Sequence, residues 1–229
     1  MNIICIVQAR MGSLRLPGKV LKDIGGSSML ERVVSRVSRA GSVSQVVVAT
    51  TESVADQAIV SECQRLNVGC FRGSEDDVLD RYYKAWRTFG GEAVVRITSD
   101  CPLIAPEIID RVVNEFGAND VDYASNVLNS HDIRGLDVEV MKPGALERAW
   151  REAAQPEQRV HVTPFLYQKP GFFKLLHVSH HLGNHACRLT VDTPEDLEMV
   201  REVYKAFDGR DDFSAEQIIE LLTRRPELV

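Results

Sequence analysis

Short apolar runs alternate with amphipathic stretches along the first half of the chain. Ile3 to Val7 is an unbroken apolar run and predicts a buried strand. Runs at 45–50, 68–72, 93–98 and 121–125 predict further strands. The stretches 28–40, 53–66, 76–89 and 106–117 predict helices: Met29, Val33, Val37 and Ala40 fall at helical spacing, as do Ala58, Cys63 and Leu66. Pro106 and Gly117 bracket the fourth helix. This alternation predicts an α/β layered fold with a mainly parallel central sheet. From 128 to 180 the pattern changes. RGLDVEV (134–140) and 172–180 read as strands, and 143–153 and 156–168 as helices. RLTVD (188–192) then reads as a strand, followed by helices at 194–206 and 214–223.

Polar clusters follow the strands: QAR the first, TT the second, RGSEDD the third, TSD the fourth. In open α/β sheets ligands bind at the carboxyl ends of strands, so four such loops predict one site. The first loop carries Arg10, Gly12, Ser13, Arg15, Pro17, Gly18 and Lys19. Glycine admits close approach of backbone N–H groups to anionic oxygens, and Arg and Lys neutralise them. The loop therefore suits a polyphosphate. It is not a Walker A motif: five residues separate Gly12 from Gly18, and Val20 stands where Ser or Thr would touch a magnesium ion. Asp100 ends the run AVVRITS and can ligate a cation that bridges phosphates. Asp192 ends RLTVD, where Asp-Thr-Pro-Glu-Asp also reads as a helix start with a capping acid.

The chain has 229 residues, 44% apolar and 26% charged, as in an ordinary soluble globule. A net charge of −6 gives no broad basic face for nucleic acid. No run approaches the length of a membrane span. Five cysteines show no CxxC spacing and no secretory signal is visible, which together predict reduced thiols in the cytoplasm. His177, His180, His181 and His185 lack cysteines at ligand spacing and read as a solvated strand end rather than a zinc site.

IVQARMGSLRLPGKVL resembles the N-terminal signature of sugar-activating cytidylyltransferases, the CMP-KDO synthetase and acylneuraminate cytidylyltransferase group, and above all its spore-coat polysaccharide branch. VVVATT, FRGSEDDVLDRYY, VRITSDCPLI, SNVL, RGLDVEV, HVTP and RLTVDTPEDL are similar to that branch in the same order. The resemblance implies a Rossmann-like nucleotidyltransferase fold of the GT-A kind. It implies a single domain over 1–229, with 128–180 as an acceptor-binding and dimerisation insert. It implies transfer of CMP from CTP to an acidic sugar or related acceptor, with Mg²⁺ shared by Asp100 and Asp192, in a homodimer. Arg10, Arg15 and Lys19 then take phosphate charge, Arg10 and Lys19 most directly. Gln8, Ala9, Ser13, Thr50, Thr51, Arg72, Gly73, Ser74 and Asp77 frame the nucleotide, whereas Glu75 and Asp76 read as helix-start charges. Arg134, Asp137, Glu139, Arg159 and His161 face the acceptor. The branch usually has an acid before this histidine, and here it is Val160. Two other readings are a metal-dependent glycosyltransferase of related fold, against which S-D-C lacks the first acid of a D-x-D motif, and a non-catalytic nucleotide-binding subunit.

Overall fold

A computed structural model describes residues 1–128, 133–169, 171–179, 182 and 187–228. The strands are β1 (Ile3–Gln8), β2 (Asp23–Ile24), β3 (Ser27–Ser28), β4 (Gln45–Thr51), β5 (Gly69–Gly73), β6 (Ala93–Thr98), β7 (Tyr123–Ser125), β8 (Glu139–Met141) and β9 (Leu175–His177). The helices are α1 (Met29–Ser38), α2 (Gln57–Arg65), α3 (Val78–Phe89), α4 (Pro106–Ala118), α5 (Pro143–Glu152), α6 (Pro156–His161), α7 (Pro164–Tyr167), α8 (Pro194–Ala206) and α9 (Ala215–Arg224). Seven strands form one sheet in the order β5-β4-β1-β6-β8-β7-β9, and β2 pairs with β3 in a small hairpin. β8 is antiparallel to both its neighbours, and the other pairings of the large sheet are parallel.

The sheet is covered on both faces, which is why its central strands are apolar throughout rather than alternating. On β1, Ile3, Cys5 and Val7 point into a core with α1, α2, α4, α8 and α9. Ile4 and Ile6 point into a second core with α3, α5 and α7. Each fully buried isoleucine contributes about 1.5–3 kcal/mol.

Four expected elements differ; the strand read over 134–140 begins only at Glu139 and ends at Met141. RLTVD is not a ladder strand: it makes one bridge, Arg188 to Arg134, and is otherwise held by Leu189 N–H on Arg134 O and Val191 N–H on Asp100 O, both at 2.8 Å. Leu189 and Val191 are buried, so the apolar alternation is real, but among the described residues no strand of the sheet pairs with them. The helix expected over 156–168 is two short helices. Pro164 has no N–H to continue the α6 ladder, and Val162 turns to φ 74°, a rare state for a β-branched residue. The strand expected over 172–180 is confined to β9.

Candidate active site

The basic loop leaves β1 at the middle of the sheet. Met11 is its anchor: the Met11 carbonyl accepts from Ser13 N–H at 2.9 Å and Gly18 N–H at 3.1 Å. Ser13 Oγ accepts from Leu16 N–H at 3.3 Å, so the expected phosphate hydroxyl also closes the turn. Gly18, at φ 67°, turns the chain into a single 3-10 turn that delivers Lys19 inward. Arg10 and Arg15 stay 52% and 61% exposed, whereas the Lys19 side chain is 10% exposed.

Lys19 lines the first cavity, but its ammonium is bonded to the chain itself. Its Nζ donates to Asp100 Oδ2 at 3.1 Å, Asp192 Oδ1 at 3.0 Å and Val191 O at 2.7 Å. The two aspartates, 92 residues apart in the chain, therefore meet at one cation. Burial alone would raise the Asp100 carboxyl, but the Lys19 ammonium and a Thr98 hydrogen bond hold it below the usual carboxylate range. Arg15 also reaches Asp192 at 3.0 Å, and Arg188 lies at 3.7 Å. Asp192 is not a helix cap. Thr193 caps α8 instead, accepting from Asp196 N–H while the Asp196 carboxylate takes Thr193 N–H. Val191 N–H on Asp100 O and the close approach at Gly135 set this geometry. A Cβ on Gly135 would lie 2.6 Å from the Leu189 carbonyl carbon, so only glycine lets the segments at 134 and 189 touch.

Two cavities share this pair. One, of about 570 Å³, is bounded by the basic loop, by Glu75, Asp76 and Arg81, and by Thr98 and Ser99. The other, of about 630 Å³, is bounded by Arg96, Tyr123, Arg134, Asp137, Glu139 and Tyr167. Gln8, Thr98, Asp100, His161 and Asp192 line both. The buried amide oxygen of Gln8 has no hydrogen-bond partner among the described residues, which leaves an acceptor for a ligand. Ala9 lines the first cavity with almost no exposed surface, as a small residue beside a flat ring requires.

The acid order after β5 is the reverse of the sequence expectation. Asp77 caps α3, accepting from Asp80 N–H at 2.9 Å, and it also takes Arg159 Nε at 3.0 Å. Glu75 and Asp76 instead face the first cavity, where Glu75 lies 3.7 Å from Arg10. Arg159, expected at the acceptor, braces α6 on α3 through Asp77 and Trp150 O. Arg72 donates to Thr51 O, Ser53 O and Gln57 Oε1. Gly73 and Ser74 belong to the same frame: Ser74 Oγ accepts from Asp77 N–H, and its carbonyl takes Arg81. Thr50 and Thr51 are buried and donate to Asp56. None of Thr50, Arg72, Gly73, Ser74, Asp77 and Arg159 lines either cavity.

On the other side, Arg96 and Glu139 are direct cross-strand partners of β6 and β8 and form an ion pair. Tyr123 OH donates to the second Glu139 oxygen at 2.5 Å. Asp137 is less well served, with Gly135 N–H at 3.4 Å and Arg134 Nε at 3.6 Å. Burial, with help from Glu139 and against Arg134, pushes its carboxyl up to about 6. Arg96 and Tyr123 were missed in the sequence. A lone arginine inside AVVRIT was the available signal for one of them.

Of the histidine cluster, His180, His181 and His185 lie outside the described residues, and among those described no group of three His, Cys, Asp or Glu could hold a metal. The five cysteines are free thiols, and burial raises that of Cys101 well above its usual range.

The profile of the cytidylyltransferase family matches residues 4–219. The chain belongs to the cytidylyltransferase family. A Bacillus subtilis protein described as spore coat polysaccharide biosynthesis protein SpsF is 32% identical over 99% of this chain and 96% of its own. The solved structure of a cytidylyltransferase from Leptospira borgpetersenii is 31% identical and superposes with a TM-score of 0.94, covering 100% of this chain and 97% of that one. The structure of CMP:2-keto-3-deoxy-manno-octonic acid synthetase complexed with CTP is 19% identical, with a TM-score of 0.69 over 90% of this chain and all of its own, and shares the fold. This cytidylyltransferase has the mostly parallel seven-stranded α/β sheet of a nucleotidyltransferase. Among its described residues, no helix is long and apolar enough to cross a membrane.

Proposed function

We propose that this cytidylyltransferase moves CMP from CTP to an oxygen of a small, sugar-like acceptor with release of pyrophosphate. The observation that carries this reading is the meeting of the two cavities at Asp100 and Asp192. One cavity has exposed cations at its rim for a triphosphate, and the other opens on polar strand residues. The acceptor oxygen attacks the α-phosphorus, the bond to the bridging oxygen breaks, and pyrophosphate leaves. Arg10 and Arg15 are free enough to follow phosphate charge, and Gln8 offers its unpaired amide to the base or the acceptor. Arg134, 73% exposed at the second cavity, suits an acceptor carboxylate. Such chemistry rests on positioning and charge neutralisation.

The two aspartates fit a Mg²⁺ ion, because both already turn an oxygen to one shared cation, the Lys19 ammonium. Magnesium is commonly held by one or two carboxylates with phosphate oxygens and water completing its shell, and it neutralises phosphate charge when bound. Lys19 contributes by keeping the two carboxylates together. The same reading takes 128–180 as an acceptor and self-association segment, supported by exposed Tyr167, Phe172 and Leu175 beside the sheet-edge strand β9.

Pyrophosphate release, measured with CTP, ATP, GTP and UTP against a panel of acidic sugars, tests the reading. Turnover is expected with CTP and to vanish with EDTA. Asp192→Asn is expected to lose about 10²–10³ in rate, as for one oriented electrostatic group, while folding persists because Thr193 caps α8. Equal turnover with all four nucleotides removes cytidine specificity, and near-normal turnover of Asp192→Asn removes the shared-cation role.

A further inference from the structure

Asp56 ends the 3-10 turn that precedes α2 and is 1% exposed, yet it lines neither cavity. Its two oxygens divide between two parts of the chain. Oδ2 faces the end of β4, where it accepts from Thr50 Oγ1 at 2.9 Å, Thr51 Oγ1 at 2.6 Å and Thr51 N–H at 3.1 Å. Oδ1 crosses to the basic loop and accepts from Met11 N–H at 2.8 Å. The carbonyl of that same Met11 takes Ser13 and Gly18 N–H, the two bonds that close the loop. One buried carboxylate thus ties the root of the loop that carries Arg10, Ser13, Arg15 and Lys19. Arg72 braces the far side, holding Thr51 O at 2.9 Å and Ser53 O at 2.8 Å. Burial disfavours the Asp56 anion, but the hydroxyls of Thr50 and Thr51 and the backbone N–H groups of Met11 and Thr51 outweigh it and hold the carboxyl below its usual range. A hydrogen bond to an ionised group is stronger than a neutral one.

We propose that Asp56 is a positioning residue for nucleotide transfer, fixing the basic loop in its phosphate-receiving shape through Met11 N–H. The proposal rests on the reading that this loop receives the triphosphate. Asp56→Asn is a selective probe. Three donors face Oδ2 and one faces Oδ1, so the amide oxygen of Asn turns to the threonines. Its NH₂ then meets Met11 N–H, donor against donor. The β4 side survives and the loop tie is lost. Asp110→Ala is the control variant: it removes the carboxylate that takes Gly41 and Ser42 N–H, lines neither cavity, and leaves Met11 alone.

Four readouts separate the outcomes: KM for CTP, KM for the acceptor, thermal midpoint, and limited tryptic cleavage after Arg10 and Arg15. Asp56→Asn is expected to raise KM for CTP about tenfold or more, from the loss of one charge-assisted bond, to leave KM for the acceptor within about twofold, and to speed cleavage after Arg15 in the folded protein. Asp110→Ala is expected to lower the midpoint with KM for CTP unchanged. The proposal is overturned if Asp56→Asn leaves KM for CTP at the wild-type value, or if both variants move both KM values alike. Should Asp56→Asn fail to fold, amide exchange at Met11 in the wild-type protein decides: protection well beyond that of an open loop supports the tie, and exchange at an open-loop rate removes it. Wild-type cleavage after Arg15 that CTP does not slow overturns the triphosphate reading itself, and with it the role in nucleotide transfer, whatever the Met11 exchange shows.

Discussion

The two cavities are built on opposite plans. The first is made by loops that leave parallel strands, and Arg10 and Arg15 at its rim are more than half exposed, Arg10 with its carboxylate partner 3.7 Å away. The second is floored by the sheet itself, and its deepest charges, Arg96 and Glu139, are spent on each other and on Tyr123. An anion entering the first cavity finds two exposed arginines at its rim, Arg10 and Arg15. A ligand entering the second finds a rigid polar floor, with Asp137 the carboxylate that has capacity to spare. Exposed cations suit a highly charged, chemically uniform group such as a triphosphate. A fixed floor suits shape and hydroxyl discrimination.

The sharpest way to break this contrast is to unpair the floor. Glu139→Ala leaves the Arg96 guanidinium buried without its carboxylate, and a loss of about 3–5 kcal/mol is expected in denaturant unfolding. A loss below about 1 kcal/mol would mean that the floor relaxes as freely as the loops do. Asp137→Asn comes next. Its folded carboxyl, raised to about 6 from an ordinary 3.8, binds its proton more tightly than the unfolded chain does. Its contribution to stability is therefore present below pH 3.8 and lost as pH rises through 6. The Asn variant should show a flatter stability profile over that window and gain at most about 3 kcal/mol at neutral pH; an unchanged profile removes the buried-carboxylate description. The smallest effect belongs to Arg159→Ala. It breaks the Asp77 brace between α3 and α6 and should cost about 1 kcal/mol with KM for the acceptor unchanged. A marked rise in that KM would return Arg159 to the acceptor cavity.

β1, β4 and β6 were legible because their runs are largely apolar on both faces, and the loops that end them announced the site through composition, whereas the two-residue strands β2 and β3 carry no such run. Charge in a sequence is visible, but its partner is not. Arg72 reads as part of the nucleotide frame and Arg159 as an acceptor ligand, yet both donate to the chain's own oxygens. Three acids in a row, Glu75 to Asp77, look alike until the first turn of α3 selects one as its cap. Lys19 reads as a phosphate ligand because its partners Asp100 and Asp192 arrive 81 and 173 residues later. Asp56 gave no signal at all, since its role depends on a loop 45 residues upstream.

The reversed strand β8 has a consequence for how this enzyme can diversify. β1, β5, β6 and β7 lead into the cavities at their carboxyl ends, whereas β8 begins there, so Asp137 and Glu139 arrive as the chain enters the sheet. On the proposed reading, the phosphate-facing residues sit at strand exits, while Asp137 and Glu139 of the acceptor cavity sit at a strand entrance on a separate stretch of chain. Changes in the segment leading into β8 can retune what is accepted while leaving the donor loops, and the strands they hang from, untouched.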